Sequence, residues 1–349
     1  MRKLTFAAVL LAFAVVVLGA YVRLTAAGLG CPDWPGCYGH VTPIGAEQSI
    51  AAGDVLPGKP FNSTKAWHEM IHRYAASTLG LLILLIAALA LATRRESAAR
   101  ARFAVVLLGI VVLQGALGML TVTWQLKPII VTLHLLGGMT TLGLLWWLWL
   151  SQRATGRERA AAGFGRRAGD VLARRAAGLP PSVLWARRLA IVALVVLACQ
   201  IALGGWTSSN YAAIACPDFP TCQGAWWPAM DFRHAFVFWR PLGIDYQGGD
   251  LSNPARVAIH FTHRLGALVT TCALVAAAAA ALKQRALGAA RVAAVVVLVA
   301  LATQLSIGIS MVLRGFPLPL ATAHNAGAAF ALLAVLALVH GLHARTAPS

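Results

Sequence analysis

Charge is scarce in this chain of 349 residues: only 11% are Asp, Glu, Lys or Arg, against 59% hydrophobic. A soluble globule carries about 25% charged residues, so a fully water-facing surface is excluded and the chain reads as a membrane protein. Basic runs interleaved with aromatics are missing, which removes nucleic acid as the reason for the formal net charge of +18. The six cysteines lack the C-x2-C spacing of a zinc ribbon. Cys31/Cys37 and Cys216/Cys222 each have five residues between partners, and no flanking histidine repeats in both, so a zinc or redox dithiol site is the weaker reading. No long apolar run is broken at its middle, which argues against a transporter built on discontinuous helices.

What remains is a set of long apolar runs. Crossing about 30 Å of hydrocarbon at about 1.5 Å per residue takes about 20 residues. Eight stretches qualify: roughly Leu4 to Val22, Trp67 to Thr93, Phe103 to Thr123 and Pro128 to Leu150, then Leu189 to Thr207, Val257 to Leu282, Val292 to Leu313 and Leu318 to His340. The expected fold class is an all-α integral membrane protein with eight transmembrane helices arranged as two pseudo-repeated four-helix bundles. Its parts are an N-terminal bundle (1–150), a basic linker (151–188) and a C-terminal bundle (189–349). The first run follows MRK and has the charge order of a signal peptide. Its end, VLGAYVRLT, matches ALGGWTSSN of the fifth run, which predicts a retained helix.

Basic residues fall on one side of these runs: Arg2, Lys3, the segment from Arg94, the loop from Arg153 to Arg188, the turn at Lys283 and Arg345. By the positive-inside rule that side is cytoplasmic, placing both termini inside a bacterial cell membrane. Arg166, Arg167, Arg174 and Arg175 would then lie against anionic lipid headgroups. The opposite side receives two long loops carrying CPDWPGC and CPDFPTC. In an oxidising external compartment each pair can close a small disulfide loop. Cys199 and Cys272 fall inside the spans and read as small packing residues.

The halves repeat in detail. His72 and His134 are 62 residues apart, His263 and His324 are 61 apart, and Gln114 and Gln304 keep the same offset of 190 as His134 and His324. All four histidines fall early in even-numbered spans, toward the outer leaflet; His72 lies about 7 to 8 Å along the axis from Trp67. One such histidine is often a polar residue satisfied by a neighbouring backbone. Four at matched depth point to function, because ionisable groups in hydrocarbon are costly. A six-coordinate heme needs two axial ligands from facing helices, and each half offers one pair. Arg73 and Arg264 follow His72 and His263 and suit a heme propionate, or snorkel to lipid phosphate. Gly137, Gly138 and Gly327 follow the later histidines and would admit a porphyrin or a close helix.

The halves differ where chemistry would need them to differ. Glu69 stands one turn before His72, while His260 holds the matching place before His263. A carboxylate beside one pair alone predicts a reactive first site and an electron-holding second site; the alternative is a Glu69 that only orients an imidazole or sits in water at the interface. His68 reads either as a proton carrier or as an interfacial residue.

These residues resemble the heme A synthase family across nearly the whole chain: eight spans in two repeats, the ExxHR motif at Glu69 to Arg73, His134, His263 and His324, and cysteine pairs in both outer loops as in its prokaryotic branch. The resemblance implies oxidation of a methyl group of heme O to formyl through hydroxylated intermediates, giving heme A for terminal oxidases. It assigns substrate heme to His72 and His134, with Glu69 at the reacting methyl, a resident heme b to His263 and His324, and disulfides to Cys31/Cys37 and Cys216/Cys222. Heme O would arrive from a complex with heme O synthase or through the bilayer, small-residue helix faces would accommodate a homo-oligomer, and the electron acceptor is not specified. The competing reading is a diheme b-type electron-transfer cytochrome or quinol oxidoreductase, which expects two equivalent sites.

Overall fold

In the computed structural model, residues 1–51, 61–94, 98–163 and 180–343 are described. Among the described residues, eight helices are long and apolar enough to cross a membrane. In chain order they are α1 (Arg2–Leu24), α2 (Ser63–Ala92), α3 (Ala98–Thr123), α4 (Pro128–Gly163), α5 (Pro181–Ser209), α6 (Asn253–Leu282), α7 (Gly288–Leu313) and α8 (Leu318–His343). Among the described residues there is no β-strand; the two long cysteine-bearing loops contribute short helices at Pro43–Ala51 and Phe232–Ala235.

Several helices run past the apolar stretches that announce them. α4 continues to Gly163, through a segment rich in Ala and Arg, which are strong helix formers. α5 begins at Pro181 because a proline in the first turn costs no hydrogen bond and has its φ already set. Pro254 opens α6 in the same way, and Asn62 caps α2 by accepting the Lys65 N–H at 3.0 Å. The arginines at 166, 167, 174, 175 and 345 lie outside the described residues.

α1 packs on α2 and α4, and α3 on α2 and α4; in the second half α5 packs on α6 and α8, and α7 on α6 and α8. The two sets meet through α1, α4, α5 and α8. Hydrocarbon supplies no hydrophobic drive for helix association, so close packing of small residues has to supply it. The core accordingly holds fully buried alanines at 186, 190 and 193 of α5, at 277, 278 and 281 of α6, and at 290 and 294 of α7. At Gly341 a Cβ would stand 3.0 Å from the Ala290 Cα, so that crossing of α7 and α8 requires glycine. Trp146 of α4 donates to the Leu333 carbonyl of α8 at 2.9 Å, tying one set to the other. Cys199 and Cys272 are exposed on their helices, which corrects the expectation of packing residues. As small apolar side chains they suit a lipid-facing surface.

Tight reversals join α3 to α4 and α7 to α8, each through two consecutive residues with positive φ: Gln125 and Leu126 in the first, Gly315 and Phe316 in the second. The cysteine loops fold alike. Disulfides join Cys31 to Cys37 and Cys216 to Cys222, as expected. Inside each ring an aspartate organises the turn: Asp33 accepts the N–H groups of Tyr38 and Gly39 at 2.6 and 2.9 Å. Asp218 does the same for Gln223 and Gly224 at 2.6 and 3.0 Å.

Candidate functional site

His72 of α2 and His134 of α4 line one cavity of about 420 Å³ between helices of the first set. Glu69, Arg73, Arg23 and Gln114 also face it, and Gly204, Ser208 and Asn325 of the second half close one wall. The rings of His72 and His134 are within electrostatic range of each other, as are those of His263 and His324 in the second set. His72 and His134 thus face one cavity together.

Each imidazole lies against a glycine on another helix. A Cβ on Gly19 of α1 would stand 2.9 Å from the His72 Cε1, and one on Gly118 of α3 would stand 3.2 Å from that of His134. The corresponding distances are 3.3 Å for Gly204 of α5 to His263 and 3.0 Å for Gly308 of α7 to His324. At that separation any larger residue displaces the ring. The Nδ1 atoms of His72, His134 and His324 are buried without a hydrogen-bond partner.

Glu69 is 4% exposed. Its two oxygens accept from the Arg73 Nη2 at 2.6 Å and the Cys31 backbone N–H at 2.9 Å. Arg73 also donates to the carbonyls of Asp33 and Gly36 at 2.9 and 2.5 Å. The carboxylate is therefore fixed by the disulfide ring itself, through Cys31 and through the arginine. In the second half His260 replaces the carboxylate. Arg264 reaches its Nε2 at 3.3 Å and donates to the carbonyls of Thr221 and Asp218, each at 2.7 Å. Both arginines thus clamp a cysteine loop, a partner that neither the propionate nor the lipid reading anticipates. These contacts of the two half-buried arginines were hidden in the sequence because carbonyl acceptors leave no residue signature.

Two further residues escaped sequence reading. Arg23 faces the cavity, donates to the Ser208 carbonyl at 2.6 Å and lies 4.0 Å from the Tyr211 ring centroid. Its repeat partner is Ser208 itself, so this cation belongs to the first half alone; the alignment of VLGAYVRLT with ALGGWTSSN carried that signal. Gln200 of α5 donates to the His263 carbonyl at 3.0 Å and lies 3.1 Å from the ring Nδ1. His68, by contrast, stacks edge-on against Tyr21 at 5.0 Å.

The donors suit a heme. Among the described residues no three His, Cys, Asp or Glu side chains converge on one point, whereas two facing imidazoles with glycines behind them and apolar walls match bis-histidine ligation between bundle helices. Fold and site together define a multi-pass membrane hemoprotein in which one of two histidine pairs carries an acidic group.

Comparison with known proteins agrees. The family model described as cytochrome oxidase assembly protein, COX15-CtaA, matches residues 2–336, and the chain belongs to this family. A heme A synthase of Shewanella oneidensis is 41% identical over 325 residues, covering 93% of this chain and 91% of the relative. Heme A synthases of Paracoccus denitrificans and Rhizorhabdus wittichii are 31% and 27% identical, each over 95% of this chain and over 84% and 91% of the relative.

Proposed function

We propose that this protein is a heme A synthase in which His72 and His134 receive heme O, and that Glu69 serves the oxidation of its methyl substituent to formyl. The observation that carries the assignment is the Glu69, Arg73 and Cys31 network, which stands beside one histidine pair only. His263 and His324 then hold a resident b-type heme, which when bound would relay electrons one at a time toward an outside acceptor.

Converting methyl to formyl with water as oxygen source releases four electrons and four protons, so the site must hold charge and remove protons beside an apolar substrate. Glu69 is placed for both, because an ionised carboxylate stabilises positive charge developing on the oxidised carbon and accepts its proton. Arg73 and the Cys31 N–H fix its two oxygens, so it needs little reorganisation. Arg23, directed at the same cavity, is the cation available to a substrate propionate. Heme A made in ¹⁸O-water, with aldehyde exchange suppressed, carries the label if water is the donor; unlabelled product refutes that step.

The basic side of the molecule is cytoplasmic in this reading and the cysteine loops are external, consistent with disulfide formation. The substrate arrives from heme O synthase or through the bilayer. The test is acid extraction and chromatography of hemes from cells that make heme O, with and without the protein. Heme A appearing only with it is the expected result. Heme O left unconverted, with heme b bound at both pairs and a working acceptor present, would instead identify an electron-transfer cytochrome.

A further inference from the structure

Three of the four histidines are held by the same device. Gln114 and Gly118 on α3, Gln200 and Gly204 on α5, and Gln304 and Gly308 on α7 form three Gln-x3-Gly motifs. In each, the glycine backs the histidine ring while the glutamine, one turn earlier, donates to that histidine's backbone carbonyl. The distances are 2.6 Å for Gln114 to His134, 3.0 Å for Gln200 to His263 and 3.0 Å for Gln304 to His324. Room for the amide comes from a glycine three residues after each histidine: a Cβ at Gly137, Gly266 or Gly327 would collide with the glutamine's Oε1. The brace therefore fixes the helix of each ligand at the ligand itself, and in the second set both ligands are braced.

The fourth histidine differs on both sides. Opposite His72 the motif reads Val15-x3-Gly19, and the residue three after His72 is Ala75. Gly19 still backs the ring. Val15, however, has no donor to offer the His72 main chain, and Ala75 fills the space an amide would need. One half of the first site is thus built like the second site, and the other half lacks its polar cross-link.

We propose that the Gln-x3-Gly braces sort the two histidine pairs into a retained and an exchangeable heme site, and that unbraced His72 is the ligand that yields so the first site can take in substrate and release product. This rests on the assignment of the first pair to substrate. A site that must turn over needs one ligand free to move, whereas a resident group needs two fixed ones.

The test follows heme loss. Protein filled with heme b at both sites is mixed with excess apomyoglobin as a scavenger, and transfer is followed by absorbance. Two phases are expected, the fast one missing in His72→Ala. Val15→Gln combined with Ala75→Gly installs a fourth brace and should slow the fast phase about three- to twentyfold, the range for one hydrogen bond between membrane helices. Gln200→Met combined with Gln304→Met should speed the slow phase by a similar factor while keeping its low-spin spectrum. If neither pair of substitutions moves its phase, or if His72→Ala removes the slow phase, the proposal is overturned. Should the four-brace variant fail to fold, the two methionine substitutions decide alone. Normal heme A production by His72→Ala is a separate result, which would overturn the substrate assignment and not the braces.

Discussion

Glu69→Gln separates chemistry from structure more cleanly than Glu69→Ala. The carboxylate is 4% exposed and accepts from Cys31 and Arg73 at 2.9 and 2.6 Å. Alanine would leave the Cys31 N–H unpaired, costing about 1 to 3 kcal/mol, and would loosen the loop whose ordering is not itself under test. Glutamine keeps a carbonyl acceptor, and Arg73 retains the Asp33 and Gly36 carbonyls. What is lost is charge assistance, about 1 kcal/mol. Loss of a positioned proton acceptor lowers a rate about 10²- to 10⁴-fold, equivalent to about 3 to 5 kcal/mol of barrier. The kinetic effect therefore exceeds the structural one several-fold. Purified Glu69→Gln should bind heme with an unchanged spectrum and near-normal thermal stability, yet form heme A at least about 100-fold more slowly. Heme A formation within about threefold of the parent rate would refute a role for the Glu69 charge, whatever happened to stability.

The two disulfides should differ in consequence. Cys31→Ser with Cys37→Ser should depress heme A formation while leaving the resident heme spectrum intact, because the Cys31 N–H is a ligand of Glu69. Cys216→Ser with Cys222→Ser should instead loosen the loop over His260 and Arg264, and equal losses of turnover from both pairs would contradict this division. Asp218 makes the second loop acid-sensitive: the Thr221 hydroxyl, with the N–H groups of Gly224 and Gln223, holds its carboxyl below the usual range. A depressed pKa stabilises the fold above the unfolded value and is lost as pH falls through the folded one. Fluorescence from the exposed Trp226 and Trp227 should hold steady down to about pH 4 and change only below it; a change centred near pH 6 would assign loop order to another group.

Much of the architecture was legible because membrane helices announce themselves by length and apolarity, and because the histidines recur at matched spacing. Disulfide pairing followed from two cysteine rings of the same size. Less visible were features made of backbone. Arg73 and Arg264 find carbonyl oxygens of distant loops, which no residue type encodes. Helix ends at Gly163 and Pro181 exceed the hydrophobic runs because propensity and proline geometry set them, not hydropathy. The Gln114 and Gln304 repeat was on the page as an offset, but its meaning depended on finding that each amide lands on a histidine carbonyl.

Contacts across the two halves bear on how the molecule is made. Arg23 donates to the Ser208 carbonyl and lies over the Tyr211 ring, the Gln125 carbonyl receives the N–H of Tyr246, and that of Ala26 receives the side chain of Gln247. Lys127 is fully buried with its ammonium 3.5 Å from the Trp239 ring centroid. A nascent chain that has emerged only through α4 therefore has an unfinished first cavity, with Arg23 lacking Tyr211 and Lys127 lacking the nearer of its two tryptophans. Translation must proceed past residue 247 before these ends of the leading helices have all their partners, so the first half is completed only as the second is made.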